Sequence, residues 1–187
     1  MRKITTFFTF AISALFMLNP AQAQSDRKVT NINRGWLFHQ GESNPAITPE
    51  KAKAEGWKSV NLPHDFQIEQ PWVAPAADEK ANTSDAGANI KSRLSARGFK
   101  EMGSGWYVKA FTPSKDDKGK RILIDFQGIM YLGDVYLNGK KIGGTDYGYV
   151  GFEIDITQNL RYGEENIIAV YSNTAAPRDS RWYTGGG

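Results

Sequence analysis

The sequence predicts an all-β protein, a jelly-roll β-sandwich with one short helix and one long inserted loop. From Val29 onward, apolar and polar residues mostly alternate with a period of two, which is the pattern of strands. These runs are short, and Gly, Asn, Asp and Pro separate them, as in sandwiches and jelly rolls. Hydrophobic residues make up 40% of the 187 residues and aromatic residues 12%, enough to form a packed core.

One short helix is predicted early in the domain. Thr48 can cap its N-terminus, and Pro49 suits the first helical position. The residues from Glu50 to Glu55 are reasonable helix formers, and Gly56 ends the run. We expect this helix to be a surface appendage to the strands.

The segment Gly105–Thr112 shows the strand alternation well. One face would carry Trp106, Val108 and Ala110, and the other face Tyr107, Lys109 and Phe111. Three further strands are predicted over Arg121–Phe126, Tyr149–Ile156 and Asn166–Tyr171, which repeat the alternation.

A tight hairpin is predicted between two further strands. Asp134–Leu137 runs into Asn138 and Gly139, the pair of residues that best tolerates positive φ, and Lys140–Ile142 leaves the turn. By contrast, Val73–Arg97 is poor in large apolar residues and is predicted as an inserted loop, with a turn of helix around Ala88–Leu94. The sequence leaves open whether this insert is functional or a solvated decoration.

Residues 1–23 have the three parts of a secretory signal peptide. Arg2 and Lys3 form the basic start, an apolar stretch follows from Ile4 to Leu18, and Ala21–Ala23 is a small-x-small cleavage site. A signal anchor is the alternative, but the stretch is shorter than the roughly 20 apolar residues of a membrane span. We therefore expect export to the periplasm or the medium, with no membrane attachment after cleavage. Because the chain has no cysteine, a lipoprotein anchor is excluded.

Composition excludes several kinds of site. Without cysteine there is no thiol nucleophile, disulfide or Cys-based metal site, and His39 and His64 are too few for a multi-histidine metal centre. The basic residues are scattered, so no nucleic-acid interface is predicted. No catalytic carboxylate pair or serine triad stands out by its spacing. We predict no catalytic residue, no metal and no cofactor in this chain.

The five tryptophans divide into two groups by their surroundings. Trp36, Trp57 and Trp106 lie in strand-like patterns and are predicted to be core residues. Trp72 and Trp182 lie among polar loop residues and are better candidates for binding a ligand. Aromatic rings beside carboxylates and amides suit sugars, because the C–H face of a pyranose packs on the ring while polar groups bind its hydroxyls.

Four ordered motifs resemble the N-terminal sugar-binding, galactose-binding-domain-like domain of glycoside hydrolase family 2. They are Asn33–Phe38, Leu62–Phe66, Gly105–Lys109 and Asp134–Gly139. The ending Asp179–Gly187 resembles the segment that leaves this jelly roll for the next domain. The resemblance is to the bacterial β-galactosidase type, although Phe66 stands where many relatives have Trp.

The resemblance implies the domain organisation. Residues 24–187 would be the sugar-binding jelly roll, with strands at about 28–171 and a linker at 172–187. Family members continue into an immunoglobulin-like domain and a TIM barrel that carries both catalytic glutamates. The implied function is the active-site-shaping domain of an exported retaining glycosidase that cleaves terminal β-glycosides, most of all β-galactosides. The chain alone would be inactive, and its partners would be a carbohydrate and the missing domains.

Two alternatives to this function remain open. The chain could be a free-standing carbohydrate-binding module, or the parent enzyme could be a β-glucuronidase or a β-mannosidase.

The resemblance also implies substrate-binding residues. Asp179 occupies the position of an aspartate that accepts hydrogen bonds from hydroxyls of the sugar in the −1 subsite. Asp65 and His64 are second candidates, and Arg181 and Trp182 are third. For each of these residues the alternative is a contact that only orders its loop.

Overall fold

The computed structural model of the chain describes residues 27–72 and 100–174. The predicted signal peptide, the insert at 73–97 and the predicted site residues Asp179, Arg181 and Trp182 lie outside the described residues. The fold lies in the unit that begins at Ile32. Its regular elements are β1 (Trp36–Gln40), α1 (Pro49–Ala54), β2 (Lys58–Val60), β3 (Ser104–Phe111), β4 (Leu123–Phe126), β5 (Leu132–Leu137), β6 (Lys140–Thr145), β7 (Phe152–Asp155) and β8 (Asn166–Asn173). Three 3-10 turns cover Gln67–Glu69, Lys115–Asp117 and Thr157–Asn159.

The strands form two antiparallel sheets. The larger sheet has the order β2-β1-β3-β8-β5-β6, and β4 pairs with β7 in the smaller one. A main core cluster joins side chains of both sheets, among them Phe38, Tyr107, Val135, Ile124 and Ile154. This packing confirms the predicted all-β sandwich.

Helix α1 begins as predicted, with Thr48 Oγ1 accepting a hydrogen bond from Lys51 N at 3.3 Å and Pro49 in the first turn. The expectation that it is only a surface appendage is wrong. Ala52 is fully buried in a second core cluster with Leu37, Val108 and other residues on the outer face of the large sheet. The large sheet therefore buries apolar side chains on both faces, with the helix covering part of the outer one.

Strand β3 confirms the predicted division between two faces. Tyr107 belongs to the core between the sheets, whereas Trp106 and Val108 belong to the cluster on the outer face. The three tryptophans predicted to be core residues, Trp36, Trp57 and Trp106, are all buried.

The β5–β6 hairpin also forms as predicted. Asn138 and Gly139 adopt φ of 52° and 80°. The side chain of Asn138 adds contacts that the turn pattern does not show: its Oδ1 accepts from Ile167 N at 3.0 Å and from Arg161 at 2.8 Å, and its Nδ2 donates to Asn166 Oδ1 at 3.0 Å. This side chain ties the turn to β8 and to the segment before it.

The strand predicted over Tyr149–Ile156 is shorter than expected. Strand β7 starts only at Phe152, and Gly151 before it lies so close to β4 that a Cβ there would be 2.9 Å from Phe126 O. No helix among residues 27–72 and 100–174 is long and apolar enough to cross a membrane.

Candidate functional site

Thr174, the last described residue, lies at one end of the large sheet, which we call the exit end. The strand pairings place five strand ends at this end of the sheet. They are the ends of β1, β6 and β8 and the beginnings of β3 and β5. Thr174, which follows β8, is buried, and its backbone N–H donates to Gly103 O at 2.8 Å. Its hydroxyl lies 3.1 Å from both Gly103 N and Gly103 O. Thr174 is therefore firmly held against Gly103.

The loop of residues 61–72 connects the far end of β2 back to the exit end. Leu62 N donates to Asn33 O at 2.8 Å at the start of this loop. Asp65 Oδ1 accepts from Gln67 N at 2.9 Å, which forms an Asx turn that leads into the 3-10 turn. Phe66 is buried and stacks on Phe38, with ring centroids 5.3 Å apart. The phenylalanine at this position is thus a core anchor for the loop.

His64 points inward from the same loop. Its Nδ1 shares a 3.0 Å hydrogen bond with the Tyr107 hydroxyl, and its ring meets Phe38 edge-on at 4.9 Å. Its Nε2 is buried without a hydrogen-bond partner and lies 4.0 Å from Glu69 Oε1. Burial lowers the pKa of His64, and the nearby Glu69 carboxylate opposes that shift. The neutral imidazole is therefore the favoured form.

Besides Glu69, three further ionisable groups lie around His64: Lys58, Asp65 and Tyr107. Lys58 donates a hydrogen bond to Glu69 Oε1, and this bond lowers the pKa of Glu69. Burial raises the pKa of Tyr107, and the negative charge of Asp65 adds to that shift. The cluster keeps a carboxylate and a lysine at the surface and a neutral phenol and imidazole inside.

A polar cluster closes the 61–72 loop at the exit end. The buried side chain of Gln70 exchanges two hydrogen bonds with Gln40, of 2.5 and 2.7 Å, and also donates to Phe66 O at 3.0 Å. Lys100 Nζ donates to Gln70 O at 2.8 Å and lies 4.0 Å from the centroid of the Trp72 ring. Trp72 is 70% exposed, so the predicted ligand candidate does present an aromatic surface to solvent.

Comparison with known proteins identifies the fold at this point. Residues 95–182 match the family described as glycosyl hydrolase 2 galactose-binding domain-like. A solved glycosyl hydrolase family 2 member from Bacteroides cellulosilyticus is similar, with a TM-score of 0.63 and 34% identity, covering 84% of this chain and 19% of that one. The chain belongs to glycoside hydrolase family 2.

Two curated relatives of this family 2 domain have different names. A β-galactosidase of Bacteroides ovatus is 34% identical over 163 residues, which cover 87% of this chain and 17% of that protein. A β-glucuronidase of Formosa agariphila is 33% identical over 150 residues, which cover 80% of this chain and 14% of that protein. The chain thus spans less than a fifth of the length of these relatives.

Asp179 lies five residues after Thr174 in the sequence, and Arg181 and Trp182 follow it closely. Sugar binding by these three residues stays a prediction, because they lie outside the described residues.

His64 and Asp65 both make contacts that order their own loop, which is the role that the sequence analysis gave as the alternative to sugar binding. They do not bond each other: Asp65 accepts from Gln67 N, and His64 bonds Tyr107. Sugar contact remains a prediction for both residues. Within residues 27–72 and 100–174, no cluster of three His, Asp or Glu side chains could hold a metal ion.

Sequence reasoning missed the Gln40–Gln70–Lys100 cluster. The two glutamines lie 30 residues apart, as do Gln70 and Lys100, and none of them belongs to a recognisable motif. The one signal in the sequence was Trp72, which lies among polar loop residues and contacts Lys100 of this cluster.

Proposed function

We propose that this family 2 domain is the sugar-binding, active-site-shaping part of an exported retaining β-glycosidase that acts on terminal β-galactosides. The observation that supports the proposal is the surface at the exit end, where the exposed ring of Trp72 lies beside Lys100 and the Gln40–Gln70 pair. The names of the curated relatives support glycoside hydrolysis by the complete polypeptide.

Asp179 is the residue proposed to bind the sugar. A carboxylate offers acceptor lone pairs to two neighbouring hydroxyls at once, and hydrogen bonds to a charged acceptor are stronger than neutral ones. Trp182 would offer a ring face for packing, and Arg181 would donate hydrogen bonds. The nucleophile and the acid/base of a retaining glycosidase are two carboxyls about 5 to 5.5 Å apart, and we assign both to the remainder of the polypeptide.

The β-galactoside is our first choice of substrate because the B. ovatus β-galactosidase aligns over 87% of this chain. A β-glucuronide is the second choice, since the β-glucuronidase of F. agariphila aligns over 80%. The two substrates differ in the configuration of the C4 hydroxyl and at C6, where the glucuronide carries a carboxylate, so an active site for the glucuronide calls for a cation beside C6.

The experiment that decides between them is a comparison of kcat/KM of the complete polypeptide on aryl β-galactoside and aryl β-glucuronide. Higher kcat/KM on the galactoside supports the first choice, and higher kcat/KM on the glucuronide supports the second. Activity on neither, with tight binding of an oligosaccharide, would favour the free-standing binding module.

Export is the remaining part of the proposal. Sequencing the N-terminus of the protein secreted by its native host should give Gln24 as the first residue. Recovery of the protein in the cytosol with residues 1–23 intact would contradict export.

A further inference from the structure

A second aromatic surface lies on residues 146–151, between β6 and β7, which we call the tyrosine loop. Tyr147 is 49% exposed, Tyr149 55% and Val150 47%. The two tyrosine rings meet edge-on, with centroids 6.0 Å apart and an interplanar angle of 63°. This is the densest group of exposed large apolar side chains in the described ranges.

The backbone of the tyrosine loop is held tightly. Thr145 Oγ1 donates to Tyr147 O at 3.0 Å and accepts from Tyr147 N at 3.1 Å. Gly148 packs against Met130 and Tyr131 so closely that a Cβ would collide with the Met130 sulfur. Exposed rings on a firmly packed backbone lose little further conformational entropy when they bind a ligand.

The tyrosine loop lies beside the end of β8. Gly148 packs on the segment that contains Met130 and Tyr131. Tyr131 N donates to Asn173 O at 3.0 Å, and Ser172 Oγ donates to Met130 O at 2.9 Å. The tyrosine loop and the end of β8 therefore lie at the same end of the large sheet.

From these observations we infer that Tyr147 and Tyr149 form a stacking platform for a second sugar of the substrate, one bonded to the terminal sugar that is cleaved. Phenol rings pack against the C–H face of a pyranose, and their hydroxyls exchange hydrogen bonds with sugar hydroxyls. The inference rests on the proposed function, because it places this platform next to the terminal sugar of a β-glycoside. It extends that function by naming an oligosaccharide as the substrate.

A sugar fits this surface better than a protein does. The exposed apolar area comes from three side chains, whereas a stable protein interface takes about 20 to 30 residues from each partner. Two of the three side chains carry hydroxyls, and Asp146 adds an acceptor at the loop's start.

The test measures kcat/KM of the complete polypeptide on an aryl β-galactoside and on a β-linked galactotetraose. Tyr147→Ala and Tyr149→Ala should lower kcat/KM on the tetraose by about three- to tenfold, the effect of losing one aromatic contact. Both variants should keep kcat/KM on the aryl substrate within about twofold. Tyr147→Phe and Tyr149→Phe, which retain the ring, should restore most of the tetraose activity. Equal losses on both substrates, or no loss on either, would overturn the platform.

Failure of the proposed function gives a different result. If the wild-type polypeptide cleaves neither galactoside nor glucuronide, calorimetric titration with the tetraose still tests the platform. Binding that the Ala variants lose and the Phe variants keep supports it, and absence of binding to the wild type refutes it. A changed oligomeric state in the Ala variants, with tetraose kinetics unaltered, would assign the surface to a protein partner and overturn the inference.

Discussion

His64 and Tyr107 are joined by a 3.0 Å hydrogen bond between the imidazole Nδ1 and the phenol oxygen, across 43 residues of sequence. The bond attaches the 61–72 loop to β3, the strand that runs through the middle of the large sheet. Since the loop continues to Gln70 and Trp72, the same bond supports the polar surface at the exit end.

The first prediction concerns this bond. Tyr107→Phe should lower the free energy of unfolding by about 1 kcal/mol, the usual contribution of a hydrogen bond, and leave an imidazole nitrogen without its partner. Urea unfolding of the wild type, Tyr107→Phe, His64→Ala and the double variant measures the coupling between the two residues. Additive losses in the double variant would show that the bond contributes nothing.

The second prediction concerns pH. Because burial lowers the pKa of His64 in the folded protein, the unfolded chain binds more protons at mildly acidic pH. The free energy of unfolding should therefore fall as the pH drops below the ordinary histidine pKa of about 6.5, down to the lower folded-state value. Lys58, Glu69 and Asp65 also face the ring, and the two carboxylates reduce the effect.

Urea unfolding between about pH 7.5 and 5 measures this dependence. His64→Gln should flatten the curve over this interval, whereas Glu69→Gln should make the fall start at the same pH and extend further down. The same slope in His64→Gln as in the wild type would assign the pH dependence to other groups.

The third prediction concerns the helix on the outer face of the sheet. Ala52→Leu should lower the free energy of unfolding by about 1 to 3 kcal/mol, because Ala52 is fully buried and extra carbons overpack the cluster. Ala54→Leu, on the exposed side of the same helix, is the matched control and should change stability by about 0.5 kcal/mol or less. Equal effects of the two substitutions would mean that the helix is a surface appendage after all.

The fourth prediction concerns the amide pair at the exit end. Gln40→Ala leaves the buried amide of Gln70 without its two partner bonds, so the free energy of unfolding should drop by about 1 to 3 kcal/mol. Ile68→Ala changes an exposed side chain of the same loop and serves as the control. Chemical denaturation measures both variants. Equal losses in the free energy of unfolding would contradict a stabilising role for the Gln40–Gln70 pair.

Alternation and turn chemistry allowed most of the fold to be predicted. The two faces of β3 followed from its period-two pattern, and the β5–β6 hairpin followed from Asn138 and Gly139, because both signals are local. The start of α1 was equally local, since Thr48 and Pro49 are adjacent.

The parts that the sequence could not provide depend on contacts between distant segments. The helix has few apolar residues of its own, so its burial on the outer face depends on Leu37 and Val108 of the sheet. The late start of β7 within the Tyr149–Ile156 pattern accompanies a close approach of Gly151 to Phe126 of β4, which local alternation does not show. The Gln40–Gln70 pair needs the whole 61–72 loop in place before it can form. The assignments of Asp179, Arg181 and Trp182 rest on the family resemblance, because these residues lie outside the described ranges.

The central claim is that this domain contributes a sugar-binding carboxylate to the active site of a family 2 glycosidase. The most direct test is kcat/KM of the complete polypeptide carrying Asp179→Asn, measured on an aryl β-galactoside beside the wild type. We predict a loss of about 2 to 4 kcal/mol in transition-state binding, or about 30- to 1,000-fold in kcat/KM, with an unchanged melting temperature. An unchanged kcat/KM in the folded variant would contradict the claim.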